Sequence, residues 1–182
     1  MGISSLGCTK PKTNELRMVG DFRLLNKKTI PDECAIPDMK ETIEQLAPAV
    51  VYSPLDFLKA FHQIINSLWA KERLVLATEF GNYGYNVMPF GPTSAPATFS
   101  KAMLIAFANQ IYKILAVYFD DATVYSQTVE QHISHLREVF ETARKYNFTL
   151  RPEKCLFFQE EVELLGHITY WNQTYLKTLA KD

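Results

Sequence analysis

Cysteine is scarce. The 182 residues hold three, Cys8, Cys34 and Cys155, widely spaced and odd in number. That excludes a disulfide framework and a clustered zinc site, and it predicts a reducing, cytoplasmic setting. Long hydrophobic runs are missing as well. The longest, Ala102 to Ala108, is far too short to span a bilayer, and no signal-peptide pattern is expected at the start. No membrane partner is therefore expected. Bulk positive charge is absent too: the net charge is −1, so any nucleic-acid contact has to be local. There is no internal repeat and no low-complexity tract. What remains is 47% hydrophobic and 21% charged, the composition of a globular chain with a real core. Its length suits one domain or part of a larger protein.

The charge that is present is unevenly placed. Residues 1–30 carry six basic side chains against two acidic ones, a local net of +4. Residues 31–70 carry six acidic against two basic, a local net of −4. Such a pattern fits ordinary surface charge, and it equally suits an anionic substrate that meets bound metal.

Local patterns alternate between strand and helix. Val19 to Leu25 reads as a strand and the proline-bearing "NKKTIPDECAIPD" as a loop. Asp38 is placed to cap a short helix with Met39, Ile43 and Leu46 on one face. "AVVYSPLDF" reads as a buried strand ending near Asp56, with Pro54 awkward inside it. "LKAFHQII" reads as a short helical turn. "LVLATEF-GNYG-YNVMPF" reads as strand, glycine-bounded turn, strand. Thr93 or Ser94 is placed to cap a helix running to about Tyr112. Glu130 to Tyr146 has the clearest amphipathic period, with Ile133, Leu136, Val139 or Phe140, and Ala143 on one face and His132 and His135 read as solvent-side. "CLFF" and "VELLGHITY" read as short strands. Helices interspersed with hairpins indicate an α+β fold.

Against this background "AVYFDDATVYS" stands out, with Asp120 and Asp121 inside a β-prone segment. A hairpin with the two aspartates at its turn is the simplest local reading. Touching carboxylates repel, however, and neither is cheaply buried. If this element pairs with the strand before Asp56, three carboxylates meet at one sheet end. Clustered carboxylates are what Mg²⁺ takes, with waters and substrate phosphates completing its shell. Two such ions about 4 Å apart activate a hydroxyl and stabilise a leaving pyrophosphate. Metal would then relieve the repulsion.

In order along the chain, "LRMVGDFRLLN", "YSPLDFLKAFHQI", "GYNVMPFGPTSAPATF", "VYFDDATVYS" and "LRPEKCLFF" with "VELLGHI" resemble the motifs of one family. The gap of 64 residues between Asp56 and Asp120 fits as well. The chain resembles the reverse transcriptase of gypsy-type (Metaviridae) LTR retrotransposons, from about Lys12 to His167. The resemblance implies a right-hand polymerase of fingers and palm, an antiparallel palm sheet packed on helices, without a thumb. Fingers would use about 1–48 and 66–90, palm about 49–65 and 91–168, and 169–182 would be a truncated tail.

It implies RNA-directed DNA synthesis from dNTPs onto a primer 3′-OH, with two Mg²⁺ ions for which Mn²⁺ can substitute. The isolated stretch would be a weak polymerase. Asp56 and Asp120 would be the main metal ligands and Asp121 would assist. Lys12 and Arg17 would contact the triphosphate, or else form a solvated face. Phe61 would be the steric gate against a 2′-hydroxyl, or else plain core. Phe90 and Gly91 would line the nucleotide pocket. Lys154 would protonate the leaving pyrophosphate, or else be a surface lysine. Gly166 would lie in the primer-grip turn. Partners would be an RNA or DNA template with its primer, and other parts of a Pol polyprotein. Virus-like-particle or nuclear association would follow. The alternative is a degenerate or domesticated element fragment serving as a non-catalytic nucleic-acid or protein-binding module.

Overall fold

β-branched and aromatic runs build the strands, and the chain orders them as follows in a computed structural model. It describes residues 3–9, 16–31, 39–119, 121–164, 167–170 and 173–176. The elements are β1 (Ile3–Thr9), β2 (Leu16–Gly20), α1 (Arg23–Asn26), α2 (Met39–Leu46), β3 (Val51–Asp56), α3 (Leu68–Arg73), β4 (Val75–Thr78) and β5 (Gly81–Gly84). There follow α4 (Ala95–Ala106), β6 (Leu115–Tyr118), β7 (Asp121–Ser126), α5 (Val129–Lys145), β8 (Glu161–Leu164), β9 (His167–Tyr170) and β10 (Gln173–Leu176). Single 3₁₀ turns occupy Ala60–Gln63 and Pro152–Lys154. The arrangement is α+β. No described helix is long and apolar enough to cross a membrane.

The chain divides into two compact units, residues 1–33 with 59–99 and residues 34–58 with 100–182. In the first, a four-stranded sheet has the order β2-β1-β4-β5, antiparallel except for the parallel pair β1–β4. Phe22, Leu74 and Leu76 form its core, with Leu25, Ala70 and Tyr85 packed around them. The strand expected over Val19–Leu25 ends at Gly20 and passes into α1. Asp21 drives that change: its carboxylate accepts from the Arg23 backbone N–H at 3.1 Å and from the Arg23 guanidinium at 2.9 and 2.6 Å. These bonds hold the Asp21 carboxyl down at about 2.

The second unit is built on the antiparallel sheet β3-β7-β6 and a second antiparallel sheet β10-β9-β8. Register places Tyr52, Pro54 and Asp56 on one face with Tyr125, Thr123 and Asp121, and Val51, Ser53 and Leu55 on the other with Ser126, Val124 and Ala122. The first face packs in a core of Tyr52, Tyr125 and Ala116 with Leu46, Ala49 and Val162. The Tyr52 hydroxyl donates toward the Leu46 and Ala49 carbonyls at 2.9 and 2.7 Å, satisfying the end of α2. Burial pushes that phenol up to about 12. The second face meets α5, whose buried residues are His132, Leu136, Val139 and Ala143.

His132 therefore departs from the solvent-side reading. It is fully buried, with Nε2 2.7 Å from Ser53 Oγ and Nδ1 2.7 Å from Ser126 Oγ. His135 is partly buried, with Nδ1 2.8 Å from the same Ser126 Oγ. Serines on two adjacent strands supply the polar partners that make a buried histidine tolerable. Other boundaries shift for local reasons. α4 ends at Ala106, not near Tyr112, and the Gln110 carbonyl gathers the N–H groups of Lys113, Ile114 and Leu115 at 3.0–3.1 Å. "CLFF" is irregular rather than a strand, with Phe158 at φ 54°. Asp38, the cap expected for α2, lies outside the described residues.

Candidate active site

The hairpin expected from "AVYFDDATVYS" is present. β6 and β7 pair antiparallel, ending with Tyr118 opposite Asp121. Phe119 sits at φ 55°, a left-handed conformation that favours glycine or asparagine and is rare for an aromatic residue. Its ring stands edge-on to Tyr118 at 4.8 Å. Asp120 lies outside the described residues. Asp121 is exposed and is the first residue of β7, paired with Tyr118, rather than a turn residue as the sequence suggested.

β3 brings Asp56 directly opposite Asp121. Both main-chain groups of Asp56 face away from β7: its N–H points to Cys155 Sγ at 3.5 Å and its carbonyl accepts from Arg151 N–H at 2.8 Å. Asp56–Asp121 is therefore a non-hydrogen-bonded pair, the kind with Cα atoms about 4.5 Å apart and side chains closest. Two carboxylates so placed repel by roughly 1 kcal/mol in water-like surroundings and several times that where water is partly excluded. Pro54 is tolerated for the same geometric reason. The main-chain groups of residues 52, 54 and 56 face the outer edge, where Tyr52 and Gln159 exchange bonds of 2.8 Å and Leu156 N–H donates to Pro54 O at 3.0 Å. The missing N–H of Pro54 thus costs no bond to β7.

Two cations answer the carboxylate of Asp56. Lys154 Nζ is 3.5 Å from Oδ2 and Arg151 Nε is 3.8 Å from Oδ1. Lys154 was singled out from the sequence and Arg151 was not. Its pairing across 95 positions is tertiary, though its place three residues ahead of the lysine is visible in "LRPEKC". Cys155 is buried behind Asp56 and free.

Hard oxygen donors converge here from two strands, the donor type that fits Mg²⁺ or Mn²⁺. Among the described residues no third acidic, histidine or cysteine side chain completes a metal group. Asp120, the neighbour of Asp121 in sequence, is the residue that would add one.

The nucleotide-pocket candidates fall in the other unit. Phe61 is half-buried on the turn Ala60–Gln63, its ring 5.1 Å from Phe90 and 6.0 Å from Phe99. His62 fixes the same turn through Nδ1, 2.9 Å from the Met88 carbonyl, and its ring packs edge-on to Phe90 at 4.9 Å. Gly91 has φ +111°, and a Cβ there would meet Phe22 Cδ2 at 2.8 Å. Asn26 holds this loop from both sides, its Nδ2 donating to Gly91 O and its Oδ1 accepting from Thr93 N–H, each at 2.9 Å. Nothing in the local pattern of "FRLLN" marked Asn26 for that task. Gly91→Ala combines a steric clash with a disfavoured φ, so it is expected to destabilise the chain by about 1–3 kcal/mol. A thermal melt unchanged within a degree would show that the loop simply yields. Arg17 lies in β2 opposite Cys8. Lys12 and Gly166 lie outside the described residues, though β8 and β9 pair on either side of 165–166.

The family model described as "Reverse transcriptase (RNA-dependent DNA polymerase)" matches residues 8–169. The retrovirus-related Pol polyprotein from transposon 297 of Drosophila melanogaster is 36% identical over 155 residues, 85% of this chain and 15% of the relative. That from transposon gypsy is 34% identical over 152 residues, 84% of this chain and 15% of the relative. The chain thus spans about 15% of the length of these curated relatives. Among solved structures, a foamy viral protease–reverse transcriptase in complex with double-stranded DNA superposes with a TM-score of 0.86. It covers 97% of this chain and 31% of that one at 21% identity. A foamy viral protease–reverse transcriptase in complex with an RNA/DNA hybrid gives 0.84 over 97% of this chain and 23% of that one, also at 21% identity. At that identity the likeness establishes the fold.

Proposed function

The chain belongs to the reverse transcriptase (RNA-dependent DNA polymerase) family, and from that premise we propose that it is the nucleotidyl-transfer core of an LTR-retrotransposon polymerase. The observation that carries the proposal is the cross-strand pair Asp56–Asp121 at one end of a buried sheet, with Asp120 the preceding residue in sequence. Family membership implies dependence on a divalent metal in general. When bound to these aspartates, two Mg²⁺ ions would supply charge stabilisation for an attacking 3′-OH and a leaving pyrophosphate. Asp56 and Asp120 would hold them and Asp121 would assist. Residues 49–65 and 91–168 would serve as palm, and 1–48 and 66–90 as fingers.

Lys12 and Arg17 would bind the triphosphate, where fixed cations offset charge spreading onto phosphate oxygens. Phe90 and Gly91 would line the pocket. Lys154, already beside Asp56, would hand a proton to the pyrophosphate. Gly166 would turn the primer grip. The substrates would be dNTPs and a primed RNA or DNA template, with other parts of a Pol polyprotein as partners. The setting would be cytoplasmic, particle-borne or nuclear. The test is template-directed extension of a labelled primer by this chain with Mg²⁺ or Mn²⁺. No product under either ion overturns the reading.

Phe61 is the proposed gate against ribonucleotides. It follows Asp56 by five residues, and its ring is braced by Phe90 and Phe99. Discrimination against one extra hydroxyl then arises from a clash. Phe61→Ala should raise ribonucleotide use relative to deoxyribonucleotide use by about tenfold or more, a difference of the size that sterics alone can supply. An unchanged ratio in an otherwise active protein would assign Phe61 to packing alone.

A further inference from the structure

The segment after α5 straps the outer edge of β3. Arg151 N–H donates to the Asp56 carbonyl, Cys155 Sγ faces the Asp56 N–H, and Leu156 and Gln159 continue the contact to Pro54 and Tyr52. Inside this strap the turn Pro152–Lys154 folds two cations back, so that each oxygen of Asp56 faces one of them. The two cations differ. Lys154 is 57% exposed and reaches the carboxylate on a flexible stem, whereas Arg151 is 26% exposed. The Arg151 backbone is tied at both ends, its N–H to Asp56 O at 2.8 Å and its carbonyl to Lys154 N–H and Cys155 N–H at 3.0 and 3.2 Å. The Arg151 main chain is thus held independently of the ion pair. At 3.8 Å the pair is too long for a hydrogen bond and adds little to stability. A stability role does not account for it.

A fixed positive charge beside a carboxylate that holds a metal has a consequence of known sign. It repels a bare dication approaching the same oxygens. It attracts the ion once a polyphosphate has wrapped it in negative charge. We propose that Arg151 is a positioning residue that sets the aspartate site against free divalent ions and in favour of an ion–polyphosphate complex. The inference rests on Asp56 being a metal ligand, as proposed above. It makes metal and nucleotide arrive together, and it leaves the Asp56 carboxylate paired with protein cations when no substrate is present.

The experiment counts bound Mn²⁺ by electron paramagnetic resonance on the full chain, with no primer or template, so that turnover plays no part. Wild type, Arg151→Gln, Arg151→Lys and Asp56→Asn are titrated with Mn²⁺ alone and with Mn²⁺ plus inorganic tripolyphosphate. Gln keeps every backbone bond of the strap. Arg151→Gln should bind free Mn²⁺ about fivefold more tightly and the tripolyphosphate complex about fivefold more weakly, both effects shrinking with salt. Arg151→Lys should stay near wild type. Unchanged titrations, or a shift of both in the same direction, overturn the role of Arg151. If Asp56→Asn removes Mn²⁺ binding while Arg151→Gln alters nothing, the metal reading stands and this inference alone falls. If wild type and Asp56→Asn bind Mn²⁺ alike, the metal reading fails and takes the inference with it.

Discussion

Asp56→Asn should abolish primer extension while leaving the fold intact. The exchange is nearly isosteric and touches neither main-chain contact of Asp56, to Arg151 and to Cys155. It removes the charge that would hold a dication. Disturbing groups that merely orient a metal ligand already lowers affinity or activity by about 10–100-fold, so losing the ligand's charge should exceed that range. Stability should move in the opposite sense or scarcely at all. The cross-strand repulsion with Asp121 disappears, and what is lost in exchange is two loose contacts to Arg151 and Lys154. The net change should stay within about 1 kcal/mol. Extension with Mg²⁺ and with Mn²⁺, read beside thermal unfolding by circular dichroism, separates the two effects. Activity above a few per cent with an unchanged melt would remove Asp56 from the ligand set. Asp120→Asn should match it, and Asp121→Asn should be milder if Asp121 only assists.

The meeting of Asp56 with the hairpin was legible because each link is local. β-prone residues flank two adjacent aspartates, and an apolar strand ends on a third. Register then follows from burying both strands, since a one-residue slip would turn Tyr52 and Leu55 to the wrong faces. What escaped the sequence was chemistry between distant positions. "GNYG" looked like a turn because glycine at either end suggests one. In the structure it is β5, and Glu79 and Phe80 make the turn. Thr78 closes it, Oγ1 accepting from Phe80 N–H at 3.2 Å and donating to Gly81 O at 3.0 Å. A threonine that shapes its own turn in this way resembles an ordinary strand residue in sequence. Arg151 and Asn26 went unassigned for a related reason: their partners lie 95 and 65 positions away.

His132 is the most instructive case, because its helical period was visible. His132, Leu136, Val139 and Ala143 follow the 4-3-4 spacing of one face, and all are buried. Polarity argued for solvent, yet Ser53 and Ser126 wait on that face. One proton order uses every hydrogen in the group. Ser53 O–H donates to His132 Nε2 while Ser53 Oγ accepts from Phe158 N–H at 3.1 Å. His132 Nδ1–H donates to Ser126, and Ser126 O–H donates to His135 Nδ1. This needs a neutral His132. Protonation makes both ring nitrogens donors and strands the Ser53 hydroxyl hydrogen. Burial, reinforced by the nearby His135, accordingly pushes the His132 pKa down to about 4 from 6.5.

The sign for stability follows. Between pH 6.5 and 4 the unfolded chain binds a proton at this position that the folded chain refuses. Stability is therefore full above about 6.5 and falls as the pH drops toward 4, by at most roughly 3 kcal/mol from this one group. His132→Leu removes the titration but leaves Ser53 and Ser126 short of partners, at a cost of about 2–4 kcal/mol near pH 8. Urea unfolding of both proteins from pH 8 to pH 4 should thus give curves far apart at high pH that converge on acidification. Parallel curves would assign the acid sensitivity to another group, since a histidine with the same pKa in both states contributes no slope.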